Sequence, residues 1–134
     1  NKPTGITVSS FSSLSLDPPL CLFSIGKDQA SRPFFETSEH FVVNVLCAKH
    51  ESIAWQFAKP IEDKFEKVAY TENANGMPIL DGNIAHFCCK KWALYEGGDH
   101  IILVGEVLDF NQSDSDALIF FKGKINTIAN PHAT

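Results

Sequence analysis

The chain has 134 residues, of which 44% are hydrophobic and 20% charged, and a net charge of −5 with its histidines neutral. That length and balance describe one globular domain that buries roughly two thirds of its unfolded surface. The acidic balance argues against a nucleic-acid binder, which needs a basic stripe to neutralise phosphates, and no stretch approaches the ~20 apolar residues that cross a bilayer.

Gly5 to Ser13 alternates well enough for a strand. It opens a run through Leu20 in which hydroxyl residues crowd an apolar framework and Asp17-Pro18-Pro19 makes a turn. Serine is at best neutral in strands, so this many small hydroxyls suggest a surface built to donate hydrogen bonds. Leu20 to Ile25 is a second apolar run, bounded by Pro19 and Gly26. Ser31 before Arg32-Pro33 predicts a short helix capped by Ser31. Phe41 to Leu46 is a third strand, rich in β-branched residues. Glu51 to Lys59 carries Ile53 and Phe57 four apart, so one helical face is apolar, and Pro60 ends the helix. Asp63 to Phe65 adds a turn.

Met77 to Gly82 reads as an extended stretch ending in a turn. Ile84 to Tyr95 and His100 to Phe110 are two long strands, joined by Glu96-Gly97-Gly98-Asp99 as a hairpin loop. A last strand, Ala117 to Phe121, precedes Gly123. Many strands with two or three short inserted helices favour a closed antiparallel barrel over a doubly wound sheet.

Cys21, Cys47, Cys88 and Cys89 form no C-x-x-C pair, so zinc is poorly supported and no metal site is expected. Each lies in an apolar run and is expected as a reduced core thiol. Adjacent Cys88 and Cys89 should face opposite sides of their strand. No signal-peptide pattern opens the chain, so a cytoplasmic protein is expected; Asn1 is not an initiator methionine, which leaves the true start open. No G-x-G-x-x-G or Walker sequence occurs.

Four blocks, in order, resemble the flavin reductase-like family. They are Gly5 to Leu20; Leu22 to Lys27 followed by Ala30-Ser31-Arg32; His40 to Leu46 with Phe57-Ala58 and Lys64-Phe65 downstream; and Gly98 to Val107. The resemblance implies a mainly β fold, a split antiparallel β-barrel with short inserted helices, residues 1–134 forming one domain. It implies a homodimer holding FMN, or FAD, near its interface. It also implies NADH or NADPH as co-substrate and a monooxygenase that receives the reduced flavin. Family members usually carry a helix and a first strand ahead of the position of Gly5, so the barrel here is expected to lack them.

By the same resemblance, Thr7, Ser9, Ser10 and Ser15 are assigned to the flavin ring and ribityl chain; the plain alternative is a solvated serine-rich strand. Ser24, Ile25, Gly26 and Lys27 are placed along the next strand end. Ser31 and Arg32 sit at a helix start, where a hydroxyl, amide N–H groups and a guanidinium suit a phosphate; the alternative is an ordinary cap beside a solvated arginine. His100 is placed near the nicotinamide or the flavin ring, to orient one or stabilise charge on the other, or else merely begins a strand. No chemical base is needed for hydride transfer to flavin N5. His40, His50, His86 and His132 read as structural or surface residues. Trp55, Trp92, Phe34, Phe35 and Phe87 read as core or dimer-face aromatics. Two other activities suit the same architecture: an oxidase or oxygenase with fixed FMN, and a flavin-binding module without turnover.

Overall fold

Period-two burial builds the centre of the molecule. In β2 (Pro19–Gly26), Cys21, Phe23 and Ile25 are buried while the residues between them are half-buried, because successive strand side chains point to opposite faces. The computed structural model describes residues 3–128. The other elements are β1 (Ser12–Leu16), α1 (Arg32–Thr37), β3 (His40–Val45), a 3₁₀ turn (Ala48–His50) running into α2 (Glu51–Ala58), β4 (Tyr70–Glu72), β5 (Pro78–Leu80), β6 (Ala85–Gly97), β7 (His100–Gln112), β8 (Ala117–Phe121) and β9 (Lys124–Ile128).

Five strands form one antiparallel sheet in the order β1-β2-β7-β6-β3, and β4-β5 and β8-β9 are separate hairpins. The core sits on one face of the sheet: Cys21, Phe23, Ile25, Phe41, Cys89 and a fully buried Leu103, with Phe35, Phe87, Ile6 and Val8 packed against it. Phe23 meets Phe35 and Phe41 edge to face. Gly105 is required at the centre of β7. A Cβ there would lie 2.3 Å from Phe41 Cζ and 3.0 Å from Cys89 Cβ.

Several expectations hold. The long strands of the hairpin pair from Ala85 to Gly97 with His100 to Gln112, joined by Gly98-Asp99 alone. Gly98 takes φ +72°, a conformation glycine adopts without steric cost. Helix α2 stops at Ala58, with Lys59 extended at ψ 149° before Pro60. All four cysteines are free and buried; the register shift between Cys88 and Cys89 interrupts the strict alternation from which opposite faces were expected for the two. Phe35 and Phe87 pack as expected, whereas Phe34, Trp55 and Trp92 are largely exposed rather than core.

Three expectations fail. The strand expected over Gly5–Ser13 begins only at Ser12; Thr4 to Phe11 joins no ladder and bends at Ser9. The barrel is not closed among the described residues, because β1 and β3 are both edges of the sheet. Strands β4 and β9, absent from the reading above, pair with β5 and β8.

Candidate functional site

Two regions are candidates for the site. The first is a polar end where β2 finishes. Gly26 pairs with His100 in the ladder, and the Lys27 N–H donates to the Asp99 carbonyl at 2.9 Å. The Arg32 guanidinium donates from Nη1 to the Lys27 carbonyl (3.2 Å) and from Nε to Glu36 (2.8 Å). Lys27 Nζ meets Glu96 Oε2 at 2.5 Å. His100 Nδ1 lies 2.7 Å from Asp99 Oδ1. The pairing with Lys27 holds the Glu96 carboxyl below its ordinary range, and the hydrogen bond to His100 does the same for Asp99.

Ser31 occupies the position before α1 but does not cap it. Its backbone is helical (φ −83°, ψ −6°) and its side chain makes no cap bond. The residue is 6% exposed, and its Oγ is buried without a partner. An unpaired buried hydroxyl costs about 1–3 kcal/mol, so this one is kept against stability. Ser31 adjoins Arg32, whose Nη1 bond to the Lys27 carbonyl ties the start of α1 to the end of β2.

The second region is a trough of about 1200 Å³ lined by the segment before β1, by β3 and by the rings of Phe23, Phe35, Phe41, Phe57 and Phe120. Its walls are held by long-range polar ties. Thr7 Oγ1 donates to the Ala54 carbonyl at 2.6 Å. The buried Lys64 ammonium donates to the carbonyls of Gly5 (2.9 Å) and Phe57 (3.0 Å), and burial pushes its pKa down. Buried His50 accepts from the Cys47 N–H at Nδ1 (3.1 Å), so Nε2 carries the proton towards the Asp81 carbonyl at 3.0 Å. Asn44 Oδ1 accepts from the Leu80 N–H, tying β5 to β3.

The expected site residues divide among these places. Gly26, Lys27, Ser31, Arg32 and His100 are brought together at the polar end. Ser24 lies two ladder pairs inward, its N–H donating to Ser10 Oγ at 2.8 Å. Thr7 and Ser9 line the trough, and the Thr7 hydroxyl is committed to α2. Ser15 is half-buried on β1. Ile25 is a core residue, so only its backbone can reach a ligand. Sequence reasoning gave no role to Asp99, Glu96 or Lys64; the first two flank the recognised Gly-Gly turn, and only the tertiary structure pairs them. His50 is structural, as read; His132 lies outside the described residues.

A buried, unpartnered hydroxyl at Ser31, at the start of a helix that Arg32 ties to the end of β2, fits an oxidoreductase that handles phosphate-bearing cofactors. The flavin reductase like domain model matches residues 1–129, and the chain belongs to that family. It is 39% identical over 121 residues to the FMN reductase (NADH) SmoA of Agrobacterium fabrum, covering 90% of this chain and 69% of that protein. It is 36% identical to the stachydrine N-demethylase reductase subunit Stc3 of Rhizobium meliloti, covering 91% of this chain and 53% of the relative. The NADH:FAD oxidoreductase SgcE6 of Streptomyces globisporus, solved with NAD and FAD fragments, superposes with a TM-score of 0.93 at 35% identity. That match covers 99% of this chain and 82% of the other. The fold is therefore the mainly β, split-barrel fold of flavin reductases, and the chain is an oxidoreductase domain that works with flavin and nicotinamide.

Proposed function

We propose that the protein transfers hydride from NADH or NADPH to FMN or FAD and passes the reduced flavin to a monooxygenase. The observation that carries this reading is the orphaned, buried Ser31 Oγ at the start of α1 beside Arg32. Bound there, a flavin phosphate gives the hydroxyl its missing partner and meets a fixed cation. Gly26 leaves the strand end without a side chain beside the cofactor, while the hydroxyl of Ser24 stands alongside. His100 stands at the hairpin rim to orient the nicotinamide. The flavin supplies hydride acceptance at N5; the protein's part is binding, alignment and exclusion of water. The names of relatives that serve as reductase subunits or components of monooxygenases support the partner class.

Three companions belong to the same reading. Exposed Leu14, Leu16, Trp92 and Tyr95 support a homodimer. The trough, apolar and flanked by unladdered backbone, supports its being covered by a further strand. Four buried free thiols support a cytoplasmic setting. The activity is tested by mixing the protein with NADH and free FMN. NADH consumption in proportion to added FMN is expected; oxidation of an organic substrate with bound flavin, or no turnover, contradicts the proposal. Sedimentation at micromolar concentration tests the dimer.

A further inference from the structure

We propose that Asp99 is a positioning residue for His100: its carboxylate holds the proton on Nδ1 and presents Nε2 as an acceptor for the carboxamide N–H of the nicotinamide. Asp99 acquires this role only in an enzyme that oxidises NAD(P)H, as proposed above.

The geometry begins with the turn. Gly98 at φ +72° and the Lys27 N–H bond to the Asp99 carbonyl fix the backbone on both sides of Asp99. Ladder pairing with Gly26 fixes the Cα of His100. The ring is then restrained at a second point, by Asp99 Oδ1 at 2.7 Å from Nδ1. An ionised carboxylate only accepts hydrogen bonds, so Nδ1 is the donor, and in the neutral ring that tautomer leaves the lone pair on Nε2. A Cβ built on Gly26 would lie 3.8 Å from that Nε2, so the ring rests along a strand end with no side chain of its own.

The pair does little for stability. Its side chains are 50% and 95% exposed, and exposed pairs contribute almost nothing. It gains weight once a nicotinamide covers the ring and removes water from it. The other charges around the ring have partners or lie to one side. Lys27 is paired with Glu96, Arg32 with Glu36, and Asp28 lies across Gly26. Among the described residues the carboxylate hydrogen-bonded to the imidazole is that of Asp99.

The test uses the full chain and the variants Asp99→Ala and Asp99→Glu. Nitrogen-15 spectra of the ring, with the His100 signal assigned by its loss in His100→Ala, report which nitrogen is protonated. An Nδ1–H ring is expected in the wild type and in Asp99→Glu, and loss of that form in Asp99→Ala. Stopped-flow reduction of bound FMN is then compared for NADH and for the reduced 3-acetylpyridine analogue, which lacks the carboxamide N–H. Asp99→Ala should slow reduction by NADH about five- to tenfold, the value of one hydrogen bond, and should slow the analogue much less. Asp99→Glu should recover most of the NADH rate.

An Nε2–H ring in the wild type, or equal slowing with both nucleotides, overturns the proposal while leaving a working flavin reductase. A wild-type protein that oxidises neither nucleotide overturns the functional reading instead, and the proposal with it, whatever the spectra show.

Discussion

The polar end and the trough are built by opposite means. At the polar end the residues are positioned by neighbours in the ladder, the turn or the same helix: Gly26 against His100, Lys27 against Asp99, Arg32 against Glu36. In the trough, residues 3–11 have no ladder, and Lys64 and Thr7 hold them to α2 from far along the chain. The first region tolerates loss of a side chain with its backbone intact. The second depends on side chains to keep a wall in place. Substitutions at the polar end should therefore change ligand affinity with little effect on stability, and substitutions in the trough the reverse.

The largest effect should come from beneath both regions. Gly105→Ala forces a methyl group against Phe41 and Cys89 in the packed core, and should cost about 3 kcal/mol or fail to fold. Urea unfolding checks it, and a loss under about 1 kcal/mol would mean that the core relaxes freely.

Next in size is Lys64→Met. Two carbonyls lose their donor, at a cost of roughly 2–3 kcal/mol of stability. Unchanged FMN affinity at low temperature, where the variant is still folded, would sustain the contrast; a parallel loss of affinity would show that the trough belongs to the flavin site.

At the polar end, Arg32→Ala should weaken FMN about tenfold and riboflavin much less, because only FMN carries a phosphate. Calorimetric titration with both ligands decides it, and equal losses would place the phosphate elsewhere. Ser31→Ala sharpens the point through its sign. It removes an unpaired buried hydroxyl, so the ligand-free protein should become more stable by about 1 kcal/mol, while FMN binds several-fold more weakly. A variant less stable than the wild type would mean that the hydroxyl has a protein partner.

The smallest effect concerns pH. Glu96 and Asp99 both have folded-state pKa values below their ordinary 4.5 and 3.8. Their contribution to stability is therefore present above those values and lost as the pH falls through the lower folded ones. Glu96→Gln should slightly flatten the acid limb of the stability profile, and 0.5 M salt should do the same to the wild type. A steeper limb in the variant would reverse the sign assigned to the Lys27 pair.

Cys21 and Cys89 show how packing alone can bring reactive atoms close without giving them a task. Their sulfurs lie 3.6 Å apart, yet their strands are separated by β7 at Gly105. Next-nearest strands stand about 9–10 Å apart in a flat sheet, beyond the reach of an unstrained disulfide. The hydrogen bond with Cys21 and burial push the Cys89 thiol up, so it remains protonated.

The sequence by itself determined what depends on neighbours in the chain. Alternation made β2 and β3, Gly97-Gly98 set the long hairpin, and Pro60 ended α2; the order of four short blocks was enough to place the family. Short or polar strands such as Tyr70–Glu72 and Lys124–Ile128 carry too little periodicity to be read that way. Only the tertiary structure decided which hydroxyls are spare. Thr7 is spent on α2, Ser10 on Ser24, and Ser31, expected as a cap, is left buried and unpaired. It likewise decided that Asp99 holds His100 and that Lys64 and His50 brace the fold. A strand or turn follows from local sterics, whereas the partner of a hydroxyl or an ammonium is chosen by whatever distant backbone the core brings within hydrogen-bond reach.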